Sequence, residues 1–309
     1  MKVRWCLYRL VVNNQDIIKD SNTISWGGDT DNLGIQLTFD SIKEIPTGTV
    51  IQLFNDSLEY LEGIAFKPIQ RRWTWSYTCQ DYSFYLKNNK ISVKQFYNIR
   101  ADEAIKSLAG EAYLTCVIAD IPTQISKTYV NTTMAQIIDD ILDQAQSDQG
   151  TTYFKEIEGN VLYVRKLSEM KITPRLILPK DIDIEMSMEN MKNKITVTSG
   201  NDDNAKVEAA AEDTSKQGFY GILSDNLTVD DKNVAQAQNI ANNTLDNSNK
   251  IEYSCSLNDM FVVENGDLVK PNRMIYLAAG RRLNGYYKIK NANHKLENGI
   301  HKVSITVVW

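Results

Sequence analysis

Histidine is nearly absent from this 309-residue chain, which holds only His294 and His301. The two lack metal-ligand spacing and stand beside no Cys or Asp in a motif, so they announce neither a zinc site nor a catalytic dyad. Cysteine is scarce as well. Cys6, Cys79, Cys116 and Cys255 are far apart and form no Cys-x-x-Cys pair. With their apolar neighbours they are expected to be reduced core residues of a protein made in the cytosol, not a disulfide framework. No apolar run approaches the roughly 18 residues of a membrane span, so no membrane insertion is expected. Met1–Val12 is broken by Arg9 and is followed by no small-residue cleavage site, which favours a first strand over a signal peptide. A strong excess of one charge is also missing. The net charge of −5 argues against a dedicated nucleic-acid binder. There is no Gly-x-Ser-x-Gly, no Gly-rich phosphate cradle and no His-Glu-x-x-His. No catalytic, cofactor-binding or metal-binding residue is assigned, and neither a cofactor nor an enzymatic activity is expected.

What is present reads as strands and tight turns. Ile251–Leu257 alternates apolar and polar residues, Met274–Ala279 is a short apolar run, and Lys302–Trp309 is almost wholly β-branched. Between them fall Glu264-Asn-Gly-Asp267, Asn284-Gly285 and Glu297-Asn-Gly299, where Asn-Gly supplies the positive φ of two-residue hairpins. The N-terminal half holds a partial copy. Laying Gly48 on Asn272 sets Ile51 and Leu53 on Ile275 and Leu277, and Gly63 then meets Gly285 with a two-residue difference in the turn. Gly and Asn share the left-handed conformation, so their exchange is physically sensible. Two related β domains are expected, as the length also suggests.

Residues 1–99 are read as an N-terminal barrel-like β domain. Leu33, Ile35, Leu37 and Phe39 form one hydrophobic comb, and Trp73, Trp75, Tyr77 and Cys79 another, whose alternation predicts burial. Residues 100–170 change texture. Ala101, Ala104, Ile105, Leu108 and Ala109 have helical spacing with Gly110 as the stop. Thr133 and Gln136 make a capping-box pattern ahead of the stripe Met134, Ile137, Ile138, Ile141, Leu142 and Ala145. A hairpin over 153–164 completes a small α+β insert. Residues 171–309 return to β texture, with Gly200–Lys216 as a loop or frayed strand pair and Gly218–Ile222 as a short strand or turn. One helix over about 231–247 is expected, capped by Asp231 or Asn233. The fold class is α+β, mainly β: two tandem barrel-like antiparallel domains with the insert between them.

Three patterns carry candidate chemistry. Asp29-Thr-Asp-Asn-Leu-Gly34 with Asp40 half matches a calcium loop, but Leu33 occupies a ligand position and the end alternates like a strand. Asp181, Asp183 and Glu185 share one strand face, which a glycosidase or hydrolytic metal site could use but which the wet face of a sheet explains more simply. Arg71-Arg72 beside Trp73 and Trp75 could stack on bases, or be solvated arginines before a half-buried strand.

The order of several features resembles the baseplate central hub proteins of contractile phage tails, particularly those of PBSX-like prophages and R-type tail-like bacteriocins, relatives of the hub region of type VI secretion spike proteins. The matching stretches are Thr23-Ile-Ser-Trp-Gly-Gly-Asp29, Pro46-Thr-Gly48 through Leu61-Glu-Gly63, and Arg100-Ala-Asp-Glu-Ala-Ile105. They continue with the helix Met134–Ala145, Met188-Glu-Asn-Met-Lys-Asn-Lys-Ile-Thr-Val197, Tyr220-Gly221-Ile222, and Gly285-Tyr-Tyr-Lys-Ile289 followed by Asn293-His294. Pro271-Asn272 departs from the usual Pro-Gly of such proteins. The resemblance implies a homotrimer whose two barrels per chain form a pseudo-sixfold ring, joining a sixfold tail tube to a threefold spike. It implies as partners the tail tube or tube-initiator protein, the central spike, wedge proteins and the tape-measure protein. Its place would be the baseplate of a virion or tail-like particle assembled in the bacterial cytoplasm, with DNA passing the lumen without specific binding. The alternatives are a tail-associated peptidoglycan hydrolase using the carboxylates at 181–185, and a carbohydrate-binding β protein using exposed Trp73 and Trp75.

Overall fold

Alternating sequence becomes sheet throughout the N-terminal third. The computed structural model describes residues 8–56, 58–200, 204–229, 231–280 and 282–309, with the side chains of 231–233 outside the description. Cys6 and the expected start of the first strand, Ser57, Arg281, part of Asn201–Asn204, and the side chains of the expected caps Asp231 and Asn233 therefore lie outside the description. The first strands are β1 (Tyr8–Val12), β2 (Gln15–Asp16), β3 (Ser21–Asp29), β4 (Gln36–Ser41), β5 (Val50–Asn55), β6 (Leu58–Gln70) and β7 (Trp75–Asp81). Their inward residues Leu10, Leu37, Phe39, Ile51, Leu53, Tyr77 and Cys79 form one apolar core.

The insert follows as α1 (Ser83–Asn88), β8 (Lys90–Arg100), α2 (Ala101–Glu111), β9 (Thr115–Ile118), β10 (Gln124–Thr133), α3 (Met134–Gln149), β11 (Tyr153–Glu158) and β12 (Val161–Lys166). Thr133 and Gln136 do form a capping box on α3, which contributes about 1 kcal/mol. The stripe behind it is buried, and each of Ile137, Ile138 and Ile141 contributes on the order of 2 kcal/mol by leaving water. The helix α2 runs past Gly110 to Glu111. It ends where Tyr113, at φ 56°, takes a left-handed conformation.

The remaining elements are β13 (Lys171–Ile172), β14 (Arg175–Ile177), β15 (Ile184–Ser187), β16 (Lys194–Ser199), β17 (Lys206–Glu212), α4 (Thr214–Tyr220), β18 (Ser224–Val229), α5 (Ala237–Ser248), β19 (Glu252–Glu264), β20 (Met274–Gly280), β21 (Leu283–Glu297) and β22 (Ile300–Val308). Two expectations change here. Part of the segment read as a loop or frayed pair is the strand β17, paired antiparallel to β16 with a bulge between Val197 and Thr198. The stretch around Gly218, read as strand or turn, is the helix α4: Asp213 caps it by accepting the Lys216 N–H at 3.0 Å, and Gly221 at φ 79° ends it. The strands β17, β16 and β18 form a small sheet whose inner face meets α5 around Ile195, Val197, Ala237 and Ala241.

The protein is α+β and mainly β, dominated by one curled half-barrel sheet. Its path runs β14-β19-β22-β21-β3-β4-β7-β6-β5-β1-β2, so the N- and C-terminal β units are continuous where β21 pairs with β3. Within it the order β19-β22-β21-β20 repeats β4-β7-β6-β5, strand for strand. Leu37 pairs with Cys79 as Cys255 pairs with Val307, and Cys79 with Ala65 as Val307 with Ile289. Gly48 N–H donates to Ala65 C=O and Ala65 N–H to Thr49 C=O; 224 residues on, Asn272 N–H donates to Ile289 C=O and Ile289 N–H to Arg273 C=O. Even the β-bulge recurs, at Ala65/Lys67 and at Ile289/Asn291. The repeat carries no gap over this span. Leu53 faces Leu61 as Leu277 faces Gly285, so Gly285 corresponds to Leu61 and Gly63 to Tyr287.

Candidate functional site

Two buried polar junctions hold the units of the fold together. The first follows from β3, where Trp26 lies opposite His294 of β21. Gly27 is required beside it, because a Cβ there would stand 2.4 Å from the Ala292 carbonyl oxygen. His294 Nε2 lies 2.7 Å from the Val269 carbonyl, which can only accept, so that nitrogen carries the proton. His294 Nδ1 then accepts from His301 Nε2–H at 2.8 Å, and His301 Nδ1 accepts from the Tyr8 hydroxyl at 2.7 Å. One chain of donors therefore runs Tyr8, His301, His294, Val269 with both imidazoles neutral. Burial pushes His294 down to about 4, with Lys270 adding to it against the Val269 bond, and His301 down to about 3, with His294 adding to it. The Trp26 ring stacks on His294 at 5.1 Å.

The second junction docks the insert hairpin on the C-terminal unit. Arg273, only 5 % exposed, donates to Glu156 at 2.7 Å, and Lys270 donates to Glu158 at 3.1 Å. Arg165 also pairs with Glu156, and the Arg273 guanidinium lies 5.5 Å from the Phe154 ring centroid. Burial opposes ionisation of Glu158, but Lys270, Arg165 and Arg273 together hold its carboxyl below the ordinary value. A cavity of about 650 Å³ opens beside these groups. Of the basic side chains on its wall, Arg165, Lys270 and Arg273 are already engaged by Glu156 and Glu158, and Lys171 lies 5.2 Å over the Tyr286 ring. The arrangement fastens one unit to another, and its chemistry is that of a fixed joint.

The sequence candidates fall elsewhere. Asp29 accepts the N–H groups of Asp31 and Asn32 at 2.8 and 2.7 Å, while Asp40 sits opposite Asn22 on the paired strand and accepts from Ser76. The two ends of the half-matched calcium loop thus serve a turn and a sheet face. Among the described residues no group of three or more His, Cys, Asp or Glu could hold a metal ion. Asp181, Asp183 and Glu185 are exposed, and only Glu185 lies in β15. Trp73, expected to be buried, is 76 % exposed at the β6–β7 turn, because β7 begins only at Trp75; the Arg72 guanidinium lies 5.1 Å over its ring. Cys79 and Cys255 are buried free thiols, and burial pushes Cys79 up to about 12. The histidine pairing was the feature missed. Its signal is the Asn298-Gly299 turn, which sets Leu296 opposite His301 and so puts both histidines on one face of the hairpin.

Residues 24–308 match a family model described as YQBQ-like. No curated protein matches the sequence. Among solved structures, the tail protein from Neisseria meningitidis MC58 is similar at 12 % identity and a TM-score of 0.71, covering 98 % of this chain and 96 % of its own. The 43 kDa tail protein of prophage MuSo2 from Shewanella oneidensis is similar at 11 % identity and 0.71, with 97 % of both chains covered. The Escherichia coli c3393 protein, a component of the type VI secretion system, is similar at 9 % and 0.50, over 97 % of this chain and 76 % of its own. At these identities the likeness is one of fold.

Proposed function

Because the chain belongs to the YQBQ-like family and carries two like four-stranded units in one sheet, we propose that it is the structural central hub of a contractile phage-tail or tail-like baseplate. In this reading it is a homotrimer that adapts a sixfold tail tube to a threefold spike. The observation that carries it is the register of the repeat. Three chains with two like units each present six like surfaces on one side, which is what a sixfold-to-threefold adaptor requires. The fold shared with phage tail proteins and a type VI secretion component supports the same place in an assembly. Its partners would be the tail tube or tube-initiator protein, the spike, wedge proteins and the tape-measure protein.

The division into 1–99, 100–170 and 171–309 belongs to this proposal, with the first boundary moved back to about residue 81, since Leu86 and Phe96 pack in the insert core. The joints at His294 and Arg273 support a load-bearing role in which the units keep a fixed relation. Light scattering across a concentration series, with negative-stain imaging of the same sample, tests the reading. Three chain masses of 35.1 kDa and a six-lobed ring are expected, and a compact monomer at every concentration would overturn it.

A further inference from the structure

The seam that joins the two β units inside one chain has a counterpart whose strands find no partner there among the described residues. Inside the chain, β21 residues Asn291–Leu296 pair antiparallel with β3 residues Asp29–Ile24, and β3 pairs on its other side with β4. The repeat carries β21 onto β6 and β4 onto β19. It also carries β3 onto β15: Trp26 faces Leu37 as Ile184 faces Cys255, and Gly27 faces Gln36 as Glu185 faces Ser254. The counterpart of the seam is therefore Lys67–Arg72 against Ser187–Ile182. Among the described residues β15 pairs only with β19, and β6 beyond its bulge pairs only with β7. Six strands separate β15 from β6 in the sheet order, so the seam calls for a second copy.

We propose that Lys67–Arg72 of one copy adds as an antiparallel strand to Ile182–Ser187 of the next, head to tail. This inference rests on the hub reading and assigns its interface. The register sets Arg71 opposite Asp183, Ile69 opposite Glu185 and Lys67 opposite Ser187 on one face. Two bases thus meet two acids directly or on the diagonal, within cross-strand reach. On the other face Pro68 meets Met186, which is 58 % exposed in the single chain, while Ile69, 46 % exposed, is covered among the charged pairs of the first face. Arg71 N–H is turned to Thr74 C=O at 2.8 Å, so by strand alternation Pro68 and Gln70 present their backbone to the open edge. The ladder there draws on Gln70 N–H and on the Pro68 and Gln70 carbonyls. The missing N–H of Pro68 blunts the edge toward other strands, and the register of charges selects its own copy. A head-to-tail contact repeated about a threefold axis closes into a ring with no open edge of this kind.

The test is a cysteine pair across the expected seam in the full chain, Ile69→Cys with Glu185→Cys, run on a non-reducing gel beside light scattering of the parent. Ile69 turns its backbone away from the seam, and such non-hydrogen-bonded pairs bring Cα atoms to about 4.5 Å, within disulfide reach. A covalent trimer is expected from this pair and not from the parent or from Ile69→Cys with Ile184→Cys, which points to the other face. A parent that is trimeric while the in-register pair fails to cross-link above the off-register one overturns the seam and leaves the hub reading standing. A monomeric parent overturns both. Charge exchange covers a pair that misfolds: Arg71→Asp should weaken the trimer about tenfold, and adding Asp183→Arg should restore it. Failure of the second change to restore assembly also overturns the seam.

Discussion

His294 and His301 are bonded ring to ring at 2.8 Å, and this pair lies on the seam where the N-terminal and C-terminal β units meet. Their outer nitrogens are fixed by Val269 of the C-terminal unit and by Tyr8 of the N-terminal strand. With both rings neutral every ring nitrogen is paired, and an added proton would put a charge into a buried site. The relation between the two units is therefore sensitive to acid.

Both histidines sit below their ordinary value, at about 4 and about 3, because burial disfavours the charged ring. The unfolded chain takes up protons near 6.5 while the folded one resists, so stability is full above about pH 6.5 and falls as pH drops toward the folded values. By pH 5 each histidine should have cost about 2 kcal/mol. Thermal unfolding at pH 7.5 and pH 5 checks this. His301→Gln, which keeps a donor and an acceptor, should show a smaller difference between the two; an equal difference would place the acid sensitivity elsewhere.

Arg273 anchors the insert hairpin through Glu156 in a nearly dry site. Arg273→Ala should destabilise by about 3–5 kcal/mol, because it leaves a buried carboxylate with less compensation. Pairing it with Glu156→Ala should cost less than the sum of the two single changes. Unfolding free energies in a double-mutant cycle measure the coupling, and strict additivity would mean the joint is not a unit.

Gly48 and Asn272 occupy the same place in the repeat, both left-handed, at φ 84° and 57°. Asn272→Gly should change stability by less than about 0.5 kcal/mol, whereas Gly48→Val and Asn272→Val should each cost about 1–2 kcal/mol. Denaturant midpoints of the four proteins decide it. Unequal costs for the two valine variants would argue against equivalent positions.

Trp73 stands clear of the core, so Trp73→Ala should shift stability by less than about 0.5 kcal/mol. Sedimentation with purified cell walls should be the same for both forms under the hub reading. Loss of wall binding in the variant alone would support a carbohydrate-binding role.

Much of the architecture was legible because local rules act on a few neighbouring residues. The capping box of Thr133 and Gln136, the stripe of α3, the Asn298-Gly299 turn and the existence of a repeat could all be read from spacing, whereas Asn284-Gly285, read as a turn, lies inside β21, and Asn265-Gly266 leads into a single 3-10 turn instead of a hairpin. Trp73 was misread since its alternation starts before the point where β7 begins, and only pairing with β4 and β6 fixes that point. The stretch after Asp213 was misread because a single capping carboxylate outweighs a run of residues with no helical stripe.

The sequence by itself determined that the chain is mainly β, that a helical insert interrupts it, and that one half echoes the other. These follow from periodicity and turn chemistry, which are properties of short segments. Only the tertiary structure decided that the echo is gapless from Gly48 to Ala65 and from Asn272 to Ile289, and that its bulge recurs. It alone turned two histidines that belong to no motif into the joint between the units. Register and buried hydrogen bonds depend on partners hundreds of residues away, and a chain carries no local mark of the strand that will lie beside it.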